Sequence, residues 1–120
     1  MFTAGESLTF GYVRLTRPNP VRMERLRARI ATYCAREGLM LELVFADSGL
    51  SDTELRRPGW TALLDVLDQS GFHTVVLPSL DHLSRDPVLR AKLRAQLTTS
   101  GAHLHEMSRP PMSRRGRTDS

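Results

Sequence analysis

Cysteine and lysine are almost missing from this chain of 120 residues. Cys34 is the single cysteine, so one chain can form no internal disulfide and no metal site built on several cysteines. This cysteine usage fits a reducing compartment, and we expect a cytoplasmic protein. No apolar stretch approaches the roughly 18 residues that span a bilayer, and residues 1–8 lack the basic start and apolar run of a signal peptide. We therefore expect no membrane partner.

Patterns for cofactor binding are missing as well. No glycine-rich loop of the GxxxxGK type occurs, which disfavours nucleotide hydrolysis. His103 and His105 alternate along a predicted strand, but two histidines alone do not make a metal-ligand set. We expect neither a metal ion nor an organic cofactor.

Arginine is abundant where lysine is scarce. It supplies sixteen of the seventeen basic residues, Lys92 being the exception, and the formal net charge is +4. Base composition of the gene can produce this skew. The alternative is phosphate recognition, because the planar guanidinium group matches the oxygens of phosphate in a bidentate contact. The positive charge also favours nucleic acid as a partner.

Hydrophobic periodicity predicts four strands that alternate with three helices. The strands are expected at residues 8–14, 40–46, 74–77 and 102–105, and the helices at about 20–37, 58–69 and 87–99. The second and third strands are apolar on both faces, which predicts an α/β fold with a parallel sheet between two layers of helices. One domain is expected over residues 1–108, followed by a basic, disordered tail over residues 109–120.

Three polar loops follow the first three strands, at residues 14–20, 47–57 and 78–86. Right-handed crossovers bring the carboxyl ends of parallel strands to one edge, so these loops are expected to converge. Their polar residues are Arg14, Thr16, Arg17, Asp47, Arg56, Arg57, Asp81, His82, Ser84, Arg85 and Asp86. Taken singly, such residues more often cap helices, close turns or face solvent.

Three motifs occur in order at the ends of these strands: YVRLT at residues 12–16, FADSGLS at 45–51 with RPG at 57–59, and LDHLSRD at 80–86. Together they resemble the catalytic domain of serine recombinases, the family of resolvases, invertases and related phage integrases. The similarity covers about residues 8–107. It implies a resolvase-like three-layer sandwich with a mostly parallel sheet of four to five strands.

The resemblance also implies site-specific cleavage and exchange of DNA strands through a covalent protein–DNA phosphodiester, without metal or cofactor. Thr16 lies at the position of the nucleophile. Arg14, Arg57 and Arg85 match arginines that contact the phosphate. Asp81 matches an aspartate that orients arginines or handles protons.

Two positions depart from the family pattern. Thr16 replaces a serine, and its extra methyl group restricts the rotamer and crowds in-line attack. His82 replaces an arginine, and histidine cannot present a guanidinium fork. Residues 17–20 (RPNP) also replace a loop usually rich in serine and glutamine. Catalysis is therefore expected to be attenuated or lost.

The C-terminal part of the chain departs from the family pattern too. These recombinases continue into a long helix and a separate DNA-binding domain, and we expect no counterpart of them in the roughly 15 residues after the last predicted strand. One alternative is thus a non-catalytic module that binds DNA, or pairs as a homodimer or with a full-length recombinase. A weaker alternative is an unrelated flavodoxin-like domain that holds a small phosphorylated ligand.

Overall fold

Every predicted strand and helix forms, in the predicted order, in the computed structural model, which describes residues 8–68 and 73–107. The elements are β1 (Thr9–Leu15), α1 (Pro20–Glu37), β2 (Leu41–Ser48), α2 (Pro58–Asp68), β3 (His73–Leu77), a 3-10 turn (Leu80–His82), α3 (Pro87–Thr99) and β4 (Ala102–Glu106). The predicted tail at residues 109–120 lies outside the described residues.

Local sequence signals fix the ends of two helices. The side chain of Asn19 accepts a hydrogen bond from the backbone N–H of Arg22 and caps α1, whose first residue is a proline. Gly38 ends α1 in the left-handed region, with φ at 70°. The predicted cap of α3 is confirmed, since the Asp86 carboxylate accepts from the backbone N–H of Val88.

The four strands form one parallel sheet in the order β2-β1-β3-β4. Apolar residues of α1, such as Ile30, pack on one face of the sheet. Residues of α2 and α3, such as Leu63 and Leu93, pack on the other face. The predicted α/β three-layer fold with helices on both faces is confirmed, with four strands in the described part of the chain.

The central position of β1 decides where a site can form. All seven residues of β1 are buried. From β1 the chain moves outward to β2 on one side and then returns to β3 on the other side. Ligands of open α/β sheets bind outside the carboxyl ends of the strands at such a switch point. Residues that follow β1 and β3 therefore share a crevice.

β2, which the sequence shows as apolar on both faces, is only partly buried. β2 is an edge strand, and Leu43 within it is 56% exposed. An apolar run predicts a strand, but the same run occurs in central and edge strands. In the described ranges, no helix is long and apolar enough to cross a membrane.

Gly59 lies where the first turn of α2 meets the backbone of β2. A β-carbon at this position would lie 2.4 Å from the Ala46 carbonyl oxygen, so α2 would have to move away from the sheet. We expect Gly59→Ala to lower the free energy of unfolding by about 2–3 kcal/mol, measured by urea denaturation. Thr61→Ala changes an exposed residue on the same helix and should stay within about 0.5 kcal/mol of the parent chain. Equal midpoints for both variants would contradict this close approach.

Candidate functional site

Arg14 is a buried arginine at the carboxyl end of β1, with 5% of its surface exposed. Its Nη1 donates to Thr16 Oγ1 at 3.0 Å and to the Leu50 carbonyl oxygen at 2.9 Å. Its Nη2 donates to Asp52 Oδ1 at 2.6 Å and to the Asp81 carbonyl oxygen at 2.8 Å. All four hydrogens on the two Nη atoms are therefore engaged. The Nε atom is buried and has no hydrogen-bond partner among the described residues.

Asp52 joins two arginines through one carboxylate. Its Oδ1 binds Arg14, while its Oδ2 accepts from Arg85 Nε at 3.0 Å. Oδ1 also accepts from the backbone N–H of Arg85 at 3.1 Å. Partial burial raises the pKa of the Asp52 carboxyl, but the hydrogen bonds from Arg85 and the charges of both arginines outweigh it and hold the pKa below its usual value. Arginine binds carboxylate and phosphate through the same fork geometry, so Asp52 occupies a place suited to an anionic ligand.

His82 supports β1 as a neutral acceptor. Its Nδ1 accepts the backbone N–H of Arg14 at 3.0 Å, which places the ring proton of the neutral form on Nε2. Burial lowers the pKa of His82 to about 4, and the charges of Arg14 and Arg22 act in the same direction. His82 is thus uncharged near neutral pH and adds no positive charge to the site.

Arg57 lies behind the cleft, with only 1% of its surface exposed. Its Nε donates to the Glu54 carbonyl oxygen at 2.9 Å. Longer contacts from its Nη atoms reach the carbonyl oxygens of His82, at 3.5 Å, and Asp52, at 3.4 Å. Arg57 therefore holds the loop that carries Asp52 through hydrogen bonds to its backbone. Its guanidinium group does not line the cleft.

Asp81 and Arg85 lie at the surface of the cleft. The Asp81 side chain is 61% exposed, and its carboxylate contacts Arg90 Nη2 at 3.5 Å. Its backbone carbonyl, rather than its carboxylate, binds Arg14. The Arg85 side chain is 65% exposed and is held mainly by Asp52. Arg85 is therefore the predicted arginine with the most freedom to turn toward a ligand.

Asp47 was not among the residues with a predicted role, although its loop was expected at the site. Its buried carboxylate accepts from the Tyr12 hydroxyl at 2.7 Å and from the backbone N–H groups of Gly59, at 2.8 Å, and Trp60, at 3.0 Å. A carboxylate at a helix N-terminus is favoured by the unpaired N–H groups and by the helix dipole. Burial raises the pKa of Tyr12, and the hydrogen bond to Asp47 raises it further. The sequence signal for this contact is an aspartate at the end of a strand, ahead of the start of the next helix.

A cleft of about 520 Å³ opens where these loops meet. Four of its lining residues are arginines, namely Arg14, Arg17, Arg22 and Arg85, and Thr16, Asp81 and His82 line it as well. In residues 8–68 and 73–107, the one hydrogen bond to the Thr16 hydroxyl comes from Arg14, so no general base holds its proton. The same residues contain no cluster of three or more histidine, cysteine or carboxylate side chains that could hold a metal ion. The cleft offers a hydroxyl beside positive charge, which suits an anionic group.

These features define an α/β domain with an arginine-lined cleft at the carboxyl ends of its central strands. A protein-family model described as "Resolvase, N terminal domain" matches residues 9–119. The chain therefore belongs to the resolvase family, and the predicted resemblance to serine recombinase catalytic domains is confirmed.

Solved structures support the same fold. The N-terminal catalytic domain of TP901-1 integrase is 22% identical with a TM-score of 0.72, over 84% of this chain and 77% of that one. The C-terminal catalytic domain of ISC1926 TnpA, an IS607-like serine recombinase, is 17% identical with a TM-score of 0.70, over 84% and 70%. A resolvase family site-specific recombinase from Streptococcus pneumoniae is 13% identical with a TM-score of 0.67, over 85% and 72%. A comparison with curated protein sequences finds no significant match.

The low pKa of His82 predicts a pH-dependent stability. The unfolded chain takes up a proton near pH 6.5, whereas folded His82 resists protonation until about pH 4. Stability from this residue is therefore complete above pH 6.5 and is lost as the pH falls toward 4, by at most about 3 kcal/mol. His82→Asn keeps an acceptor near the Nδ1 position and removes the titration. Urea denaturation across this range should show a steeper loss for the parent chain, and parallel curves would contradict a buried neutral His82.

Proposed function

We propose that this domain binds a backbone phosphate of DNA between the cleft arginines Arg14 and Arg85, in the place that the Asp52 carboxylate holds. The observation that carries the proposal is the convergence of Arg14 and Arg85 on one carboxylate beside the hydroxyl of Thr16. Membership of the resolvase family supports DNA as the source of the phosphate. The structural relatives described as an integrase and as serine recombinases support the same substrate class.

The chemistry proposed for this cleft is phosphoryl transfer to Thr16. Its Oγ1 forms a bond to phosphorus, the bond from phosphorus to one deoxyribose oxygen breaks, the hydroxyl proton leaves to solvent and a proton returns to the departing oxygen. Phosphoryl transfer depends on positioning and on stabilising charge at the phosphate oxygens. Arg14 and Arg85 supply that charge once the phosphate replaces Asp52.

We infer that cleavage by this site is slow. The β-branched Thr16 has fewer rotamers for in-line attack than a serine. His82, which stands where the family pattern has an arginine, is buried and neutral. The loss of one preorganised charge partner costs on the order of 10²–10³ in rate. Arg57 remains a proposed phosphate contact only if the loop from Ser51 to Arg57 opens, because its guanidinium group is now turned inward.

A second candidate function is a binding module without cleavage. The full engagement of the Nη atoms of Arg14 within the protein favours it, because the resting site holds no free Nη donor of this arginine. Such a module would hold DNA phosphate, or pair with itself or with a full-length recombinase. Exposed Leu43 on the edge strand β2 is one apolar residue available for pairing.

Covalent trapping separates these two functions. We expect a pool of nicked DNA duplexes, in which the cleaved end diffuses away, to accumulate a weak protein–DNA adduct that Thr16→Ala abolishes. Thr16→Ser should raise the adduct about tenfold or more, a difference of about 1.4 kcal/mol in barrier, because the methyl group is removed. Absence of an adduct from both the parent chain and Thr16→Ser would leave only the binding module. An adduct that persists in Thr16→Ala would show another nucleophile.

Displacement of Asp52 has its own test. Asp52→Asn removes the competing negative charge while it keeps a side chain of the same shape. We expect it to tighten binding of short DNA by about 5- to 20-fold at low salt, which is about 1–2 kcal/mol, measured by fluorescence anisotropy. Asp65→Asn changes the net charge equally at an exposed residue of α2 and serves as the matched control. Equal affinities for both variants would contradict competition between Asp52 and phosphate.

A further inference from the structure

A row of four arginines runs along one exposed flank of α1, beside its buried stripe. It consists of Arg22, Arg25, Arg29 and Arg36, and each of them is exposed. At 3.6 residues per turn these positions share an arc of about 60°, and the row extends for about 21 Å along the helix axis. We call this set the α1 arginine row.

No carboxylate of residues 8–68 or 73–107 forms an ion pair with the α1 arginine row. The ion pairs of the described residues involve Arg14, Arg85 and Arg90, and none involves a member of the row. Glu24 lies on the opposite side of the helix by the same angular count. Glu37 lines the same groove as three members of the row, at the far end of the helix. An unpaired row of like charges is unfavourable by itself and is relieved by a polyanion.

The row begins in the cleft and ends in a separate groove. Arg22 lines the cleft together with Thr16. Arg25, Arg29 and Arg36 line a groove of about 550 Å³ that α1 forms with Met107, which follows β4. Tyr33 also lines this groove and offers a ring and a hydroxyl. Positively charged side chains therefore continue from the cleft along α1. A chain of phosphates bound in the cleft would meet arginines along the whole helix.

We propose that the α1 arginine row is the track for the DNA backbone that flanks the phosphate in the cleft. This inference rests on the proposed function for the identity of the polyanion. One strand of B-DNA advances about 3.4 Å per phosphate along the duplex axis, so a row of about 21 Å is long enough to meet several phosphates. The contacts are to phosphates and carry no sequence information, so the row fixes the direction and register of the duplex on the domain.

Charge, and the continuity of the α1 arginine row with the cleft, decide which polyanion binds the row. The sequence of residues 108–120 contains four arginines, Arg109, Arg114, Arg115 and Arg117, against one aspartate, Asp119, so its charge does not suit a counterion for the row. An anionic membrane would satisfy the charge, but it would not explain why the row leads into a cleft that holds a hydroxyl and further arginines. DNA satisfies both the charge and the continuity.

Salt-dependent DNA binding of the full chain tests the track. Arg25→Gln/Arg29→Gln removes two charges from the row, and Lys92→Gln/Arg94→Gln removes two from the exposed face of α3, across the sheet. We expect the slope of log affinity against log salt to fall by about 2 in the row variant, because each lost phosphate contact contributes about 0.9. The α3 variant should keep the slope of the parent chain. Circular dichroism checks that both variants are folded.

The outcomes separate this inference from the function proposed for the cleft. If Arg85→Gln weakens DNA binding while the row variant matches the α3 variant, the cleft binds phosphate and the track is wrong. If the row variant loses binding and Arg85→Gln does not, the track stands and the cleft proposal fails. Absence of DNA binding by the parent chain at low salt overturns both. If the row variant loses binding to vesicles that contain phosphatidylserine as strongly as it loses binding to DNA, the row is a membrane-binding surface and the track is wrong.

Discussion

The buried guanidinium group of Arg14 is the interaction on which the site depends. A buried charge is costly unless it is paired and hydrogen-bonded, and Arg14 draws partners from three loops to meet that requirement. Thr16 comes from its own strand end, Leu50 and Asp52 from the loop after β2, and the Asp81 carbonyl from the turn after β3. These three segments therefore meet at one guanidinium group. A phosphate can take the place of Asp52 because it supplies the same negative charge to the same arginines.

In the resting site, Asp52 is the carboxylate that pairs with Arg14, and the positions of His82 and Arg57 are consistent with this arrangement. A guanidinium group at residue 82 would add a second buried positive charge beside Arg14, whereas the neutral imidazole accepts a backbone N–H from β1 and adds none. Arg57 directs its donors to backbone carbonyls, two of them in the loop that carries Asp52. Among the described residues, Asp52 is thus the carboxylate shared by Arg14 and Arg85, and the cleft keeps an excess of positive charge. Binding of an external anion requires rearrangement of that loop, while β1 and the turn at His82 can stay in place.

The sequence predicted most of the fold and the frame of the site, but not the partners within it. Strand β1 and the cap at Asp86 carry local signals, and Thr16 follows Arg14 by two residues just beyond the end of β1, so the sequence placed the two side chains near each other. Asp52 was missed because the path of its loop leaves no periodic pattern. The inward position of Arg57 was missed because an arginine carries no sequence signal that tells whether it is buried. The order of the strands within the sheet, with β2 at an edge, was not predicted, because an apolar run is the same in a central strand and an edge strand. The roles in catalysis of Arg14, Thr16, Arg57, Asp81, His82 and Arg85 stay predictions.

The central claim is that an external phosphate and Asp52 compete for the same two arginines. The most direct measurement follows the side-chain NMR signals of Arg14, Arg85 and the Asp52 carboxyl carbon during titration with a short DNA duplex. The account predicts that the arginine signals shift together while the Asp52 signal moves to the position of a solvated carboxylate, all with one dissociation constant. Saturation with DNA while the Asp52 signal keeps its original position would contradict it.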